Sequence, residues 1–116
     1  MQDQQSNPGN SGPVVSEFAD DPDMLELVEM FVDELPQRVQ SLQSSFESQM
    51  MDELLRLSHQ LKGACGGYGF PSLSEAAAEL EGLLKSGAGD PGQIEAAMNE
   101  LVDLCRRASP GPGQGD

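Results

Sequence analysis

The sequence predicts an all-α fold, an antiparallel up-down-up-down four-helix bundle with a short N-terminal extra helix or turn. Three observations carry that expectation. Apolar residues recur at steps of three and four in four separate stretches, helix-starting and helix-stopping residues stand between those stretches, and no segment alternates as a strand does.

The first segment opens with Asp21 as N-cap and Pro22 at the first helical position, where a missing N–H costs nothing and a fixed φ suits the helix. Leu25, Val28, Val32, Leu35, Val39, Leu42 and Phe46 then form one stripe along a long helix. Pro36 interrupts it by removing one donor and crowding the carbonyl of Val32, so a kink is expected there, or else a break into two helices. Leu27, Met30 and Phe31 lie off the stripe and need a second cover, for which Val14, Val15 and Phe18 are available as the N-terminal turn or helix.

The second segment runs from about Met51 to Tyr68 and stops in Gly66, Gly67 and Gly69. In the third, Ser72 and Glu75 have capping-box spacing, Leu73, Ala76, Ala77, Leu80, Leu83 and Leu84 face inward, and Gly87 closes the helix. The fourth begins at Asp90-Pro91 with Gln93 at the third helical position, and repeats Ile94, Ala97, Met98, Leu101, Leu104, Cys105 and Ala108. Residues 1–13 and 109–116 are poor in apolar side chains and are expected as disordered tails around a domain at 14–108. Met1 and a tail at each end favour a free-standing small protein.

With 116 residues, one domain is expected, large enough to fold without metal or disulfide staples. Six Lys and Arg against twenty Asp and Glu, a formal net charge of -14, argue against nucleic acid and anionic membranes, which are held by basic side chains. Residues 24–108 alone carry 14 acids and 6 bases, so the acidity belongs to the folded part as well. No apolar run approaches the roughly 18 residues that span a bilayer, and the N-terminus lacks the basic start and apolar stretch of a signal peptide. Cys65 and Cys105 read as small buried hydrophobes of a reducing compartment, so the expected location is the cytoplasm.

The chain holds a single histidine, His59. On a wheel of about 100° per residue, Leu54, Leu57, Leu61, Ala64, Cys65 and Tyr68 fall opposite it, within an arc of about 100°. His59 therefore points to solvent, on a face shared with Asp52, Leu55, Arg56, Lys62, Gly63 and Gly66. A solvated surface histidine is the plainer reading, but its neighbours weigh against it. Each helical glycine costs about 1 kcal/mol relative to alanine, a cost tolerated where something must approach the backbone. Lys62 sets an ammonium one turn from the ring, and Leu55 is expected as an exposed apolar anchor. A neutral ring nitrogen is a competent nucleophile near neutrality. An imidazole on a bare platform beside a cation thus fits transient phosphorylation, with the chemistry supplied by a docked protein.

The run His59-Gln60-Leu61-Lys62-Gly63-Ala64-Cys65-Gly66-Gly67-Tyr68-Gly69, with Leu73 and residues 76–81 following, resembles the H-x-x-K-G-x-x-x-x-x-G signature of histidine-containing phosphotransfer (HPt) domains. The similarity extends over about residues 15–108 and includes the Pro-bearing long helix. It implies that His59 is the phosphoacceptor of a phosphorelay, receiving the group from the aspartate of one receiver domain and passing it to another. It also implies that Lys62 neutralises phosphoryl charge, that Gly63 leaves room for the receiver, and that Gly69 is the structural glycine ending the helix. Leu55, Arg56, Gly63 and Gly66 are the expected docking residues. Ala64 and Gly67 stand where the family often has polar residues, so hydrogen bonds from those side chains are absent. The expected partners are response-regulator receiver domains and a hybrid sensor histidine kinase, with this chain a monomer. No cofactor is expected on this chain, while the partner receiver is expected to need a divalent metal.

An enzyme is the first competing class. Cys65 sits about 120° from His59 on the wheel, too far around for a Cys-His dyad. One histidine with no close ligand set leaves too few ligands for metal, and the glycines at 66–69 follow a helix and lack a phosphate-loop ending. The chain is therefore expected to be a phosphocarrier without its own ATP site. The other alternative is a non-catalytic helical adaptor using its acidic or His59-centred face. The acid-rich runs 26–34 and 75–81 read as solvated helix faces.

Overall fold

A computed structural model describes residues 12–87 and 89–111. Four helices, α1 (Pro22–Glu47), α2 (Met51–Gly67), α3 (Pro71–Ser86) and α4 (Pro91–Arg107), form the predicted all-α bundle. Each packs on its sequence neighbour, and α4 returns to α1. Short connections make sequential helices antiparallel.

Helix α1 starts as its sequence dictates: the Asp21 carboxylate accepts from the Asp23 N–H at 3.0 Å, and Pro22 takes the first turn. It runs through Pro36 as one helix, so the break expected as the alternative does not occur. Pro36 is exposed, which leaves the freed Val32 carbonyl near solvent. Val28, Phe31, Leu35, Val39 and Leu42 form its buried stripe. Phe31 was expected outside that stripe; it is buried because its ring stacks on Tyr68 at 4.7 Å between centroids and tilts against Phe70 at 6.2 Å. Leu27 and Met30 gain no such cover and stay exposed.

In α2 the buried positions are Leu54, Ser58, Leu61 and Cys65, with Leu57, Ala64 and Tyr68 half-buried. Ser58 enters the core because its hydroxyl donates to the Leu55 carbonyl at 2.9 Å, meeting its own hydrogen-bonding need. The predicted capping box of α3 does not form. Pro71 begins that helix one residue before Ser72, Phe70 stands as N-cap without a side-chain bond, and Glu75 is exposed. The fully buried Phe70 ring fixes that start. Gly87 closes α3 in the left-handed conformation, at φ 68°. Helix α4 opens with a complete capping box: Asp90 Oδ1 accepts from the Gln93 N–H at 2.8 Å, and Gln93 Oε1 accepts from the Asp90 N–H at 3.0 Å.

The N-terminal segment adopts the turn at 17–20, preceded by a strand that was not foreseen. β1 (Val14–Val15) pairs in parallel with β2 (Ala108–Ser109), and the Arg107 guanidinium donates to the Gly12 carbonyl at 2.9 Å. Most of both expected tails lies outside the described residues. At 109–111, however, Ser109 is strand-paired and Pro110 and Gly111 are buried, so the ordered domain extends past 108. The reason is pairing of backbone groups, which requires little apolar surface.

The same strap closes the end of α2. The Ser16 hydroxyl donates to the Tyr68 carbonyl at 2.8 Å, and the Glu17 N–H donates to the Gly69 carbonyl at 2.8 Å. Both acceptors lie just past the helix end, where carbonyls lack intrahelical partners. Gly69 has φ 84°, and a Cβ there would meet Ser16 Oγ at 2.7 Å and a Phe18 ring carbon at 2.9 Å. The role that the resemblance implied for this glycine thus has a local cause in backbone conformation and space.

Two substitutions test this reading. Gly69→Ala is expected to cost about 1–3 kcal/mol from backbone conformation alone. That lowers the thermal midpoint by about 4 °C or more; an unchanged midpoint would contradict it. Pro36→Ala, at an exposed helical site, is expected to stabilise by about 1–2 kcal/mol, a helix gain of about 3 reduced by about 1 for the freer unfolded chain. Denaturant titration reads that gain directly.

Candidate functional site

The site lies on the solvent side of α2, where the apolar stripe that faces the core leaves His59 outward. The His59 side chain is 66 % exposed, and its Nδ1 lies 2.7 Å from Oε2 of Glu81 on α3. The other carboxylate oxygen of Glu81 takes the Lys62 ammonium at 2.7 Å. Glu81 itself is only 5 % exposed. A buried carboxylate must be paired, and this one has two partners from the neighbouring helix.

The bond from Lys62, and after it the bond from His59, hold the Glu81 carboxyl below the usual carboxylate range, against the opposing effect of burial. Glu81 is therefore ionised at neutral pH, and an ionised carboxylate only accepts. The proton between them belongs to His59 Nδ1. In the neutral ring, Nε2 then carries the lone pair and faces solvent. The stabilisation that Glu81 brings is fully present above the ordinary carboxylate range and is lost as pH falls through its lowered value.

Helix α3 is held in register at this point by a second polar contact, the Ser74 hydroxyl donating to the Lys62 carbonyl at 2.8 Å. Gly66 faces that serine: a Cβ there would lie 3.5 Å from Ser74 Oγ, an ordinary contact. A Cβ at Gly63 or Gly67 would meet nothing within 4 Å. The bare backbone beside His59 is thus not required by packing within this chain.

Two expectations need correction, the exposure of Leu55 and the solvated face at 75–81, and the bases beside His59 have acidic partners. Leu55 is half-buried, because it lies in one helical row with the buried Ser58 and with Lys62, the flank that packs on α3. Arg56 is exposed but tied to Glu53, with Nε donating to Oε1 at 3.2 Å and a second contact between Nη2 and Oε2. With Lys62 held by Glu81, each base flanking His59 has an acidic partner. Finally, the run 75–81 is not uniformly a solvated face: Glu75 and Glu79 are exposed and Glu81 is buried.

Glu81 is the site residue that sequence reasoning missed, although a signal for it exists. It stands four and eight residues after Ala77 and Leu73, on a row whose other members are fully buried. An acid on an apolar row calls for a buried partner.

Other chemistries find little support among the described residues. Cys65 and Cys105 are free and buried, and desolvation pushes both thiols up to about 12, far from reactive thiolate. No group of three or more His, Cys, Asp or Glu is arranged to hold a metal ion there. The roughly 800 Å³ groove between α1 and α2 is lined by residues such as Arg38, Ser41, Glu53 and Leu57, and includes none of His59, Lys62 or Glu81. No described helix is long and apolar enough to cross a membrane.

Comparison with curated proteins and with solved structures finds no match. Comparison with protein-family models matches the Hpt domain over residues 26–109, a span that holds His59, Lys62, Glu81 and all four helices apart from the start of α1. The match covers most of the chain and agrees with the bundle, the outward histidine and the glycine-ended site helix: this chain belongs to the Hpt domain family.

Proposed function

We propose that the chain is a phosphorelay intermediate in which Nε2 of His59 carries the phosphoryl group between aspartates of receiver domains. Membership of the Hpt family implies phosphotransfer in two-component signalling by a phosphocarrier without kinase activity of its own. The observation that supports this assignment is the bond from His59 Nδ1 to Glu81 on a ring two-thirds exposed, which leaves Nε2 free and reachable.

The transfer follows from that geometry. The Nε2 lone pair attacks the phosphorus of an aspartyl phosphate, the N–P bond forms as the acyl O–P bond breaks, and the bonding pair leaves on the aspartate carboxylate. Lys62 supplies charge to the bound phosphoryl group by exchanging its Glu81 oxygen for a phosphoryl oxygen. Leu55, Arg56, Gly63 and Gly66 form the docking surface, with Gly63 admitting the receiver's backbone. The receiver brings the divalent metal that its own acidic pocket requires, and this chain works as a monomer. The two free thiols fit a reducing compartment, the cytoplasm.

Incubation with a radiolabelled phosphorylated receiver tests the assignment. Label is expected on the wild-type chain, labile in acid, and absent from His59→Gln; label that survives this substitution would remove His59 from the role and leave the adaptor reading. A pair of substitutions at Gly63 separates docking from folding. Gly63→Ala is expected to stabilise the helix by about 1 kcal/mol, since a methyl meets nothing there. Gly63→Glu is expected to keep the helical circular dichroism and slow transfer at least tenfold; normal rates for that variant would place docking elsewhere.

A further inference from the structure

We propose that the groove between α1 and α2 is a docking site for an amphipathic helix of a partner protein, one whose apolar stripe is flanked by Lys and Arg, and that this site is separate from His59.

Helical periodicity defines the α1 wall of the groove. On a wheel of about 100° per residue, the lining residues Glu34, Gln37, Arg38, Ser41, Ser44 and Ser45 fall within an arc of about 120°. Leu27 and Met30 fall in the same arc, two turns and one turn before Glu34. The wall therefore continues toward the start of α1 as an open surface. Among the described residues, four large apolar side chains stay exposed, and three of them lie on this strip: Leu27 at 47 %, Met30 at 57 % and Met50 at 56 %, the last lining the groove from the start of α2. Half-buried Leu57 of α2 also lines the groove. Apolar side chains aligned in this way, with a polar rim, mark an interaction surface where singly scattered ones do not.

Ser45 is a second, independent indication. It is 7 % exposed, it lines the groove, and its hydroxyl has no hydrogen bond to any described residue. A buried hydroxyl without a partner is costly, and a molecule seated in the groove can supply the missing bond.

Charge identifies the occupant. Asp23, Glu26, Asp33 and Glu34 stand on or beside this arc of α1 against Arg38 as the single base. Arg38 is itself engaged, 3.5 Å from Glu34 and with its guanidinium 5.7 Å from the centre of the Phe31 ring, and across the groove Glu53 holds Arg56. Apolar anchors inside an acidic rim are complementary to a helix with basic residues beside its apolar stripe. A formal charge of -14 disfavours a second copy of this chain as the occupant. From Leu27 to Ser44 the strip is about 26 Å long, room for about five helical turns. It also leaves the histidine clear. Phe31 stacks on Tyr68, so Leu27 and Met30 lie by the end of α2, about 14 Å along that helix from His59.

The test uses the full chain and a fluorescein-labelled peptide of about 18 residues, built of leucine and lysine with the leucines at helical spacing. Its comparator has the same composition with the leucines sharing no face. In anisotropy titrations at physiological salt, the first peptide is expected to bind at least roughly tenfold tighter than the second. That margin is expected to vanish in the double variant Leu27→Gln, Met30→Gln, whose exposed sites leave the helical circular dichroism unchanged. A peptide of the first pattern with glutamate in place of lysine is expected not to bind. Phosphoryl transfer from a receiver to the double variant is expected at the wild-type rate. Equal affinity for the two lysine peptides, or undiminished binding by the double variant, would overturn the proposal. So would slowed transfer in the double variant, which would assign the strip to the receiver, and so would a wild-type dimer that the double substitution dissociates in sedimentation, which would assign it to a second copy.

Discussion

The buried carboxylate of Glu81, shared between His59 and Lys62, is the interaction on which the site depends. It crosses from α3 to α2 at the helix pair that makes the broadest contact in the bundle. Burial alone would make a lone carboxylate costly, and two cationic or donor partners offset that cost. The arrangement also defines the ring: one nitrogen is committed to the protein and the other is presented to solvent. A helix pair that slipped by one residue would lose both bonds together, so α3 register and histidine chemistry are one constraint. The Ser74 bond to the Lys62 carbonyl, less than two turns before Glu81 reaches across, holds the same register from the helix start.

Around this contact the bundle is divided by stiffness. The core face of α2 is filled by Leu54, Leu61 and Cys65, all essentially inaccessible, while the outer face carries glycines that pack on little. The helix backbone is thus supported from within and left bare outside, which suits a residue that must be held still yet reached by another protein. The neutralised bases serve the same end. Arg56 and Lys62 are already paired with acids, so a phosphorylated surface docking as proposed would exchange ion pairs and would not meet an uncompensated charge.

Much of this was legible in the sequence, for identifiable reasons. Long periodic segments gave all four helices, and local capping chemistry located Asp21, Asp90 and Gly87, because caps act within three residues and need no tertiary information. The outward position of His59 followed from the same periodicity. What escaped was set by contacts between elements. The two-residue strands are too short to alternate. Phe70 starts α3 because its ring is buried, and Phe31 is buried because Tyr68, at the C-cap of α2, stacks on it. Leu55 and Glu81 were misplaced together: the wheel fixes directions around one helix, but how far the neighbouring helix reaches around it depends on packing.

The strap formed by residues 12–18 joins segments up to 95 residues apart, the Arg107 bond to Gly12 being the longest such link described. Contacts of that separation add little to a bundle until the helices have already brought the ends together, and they belong to the part of a fold that forms late and opens early. Here that part also supplies the partners for the Tyr68 and Gly69 carbonyls at the end of α2. Loss of the strap would therefore remove partners from the terminus of the histidine helix, while Leu54 and Leu61 keep the turn bearing His59 in place.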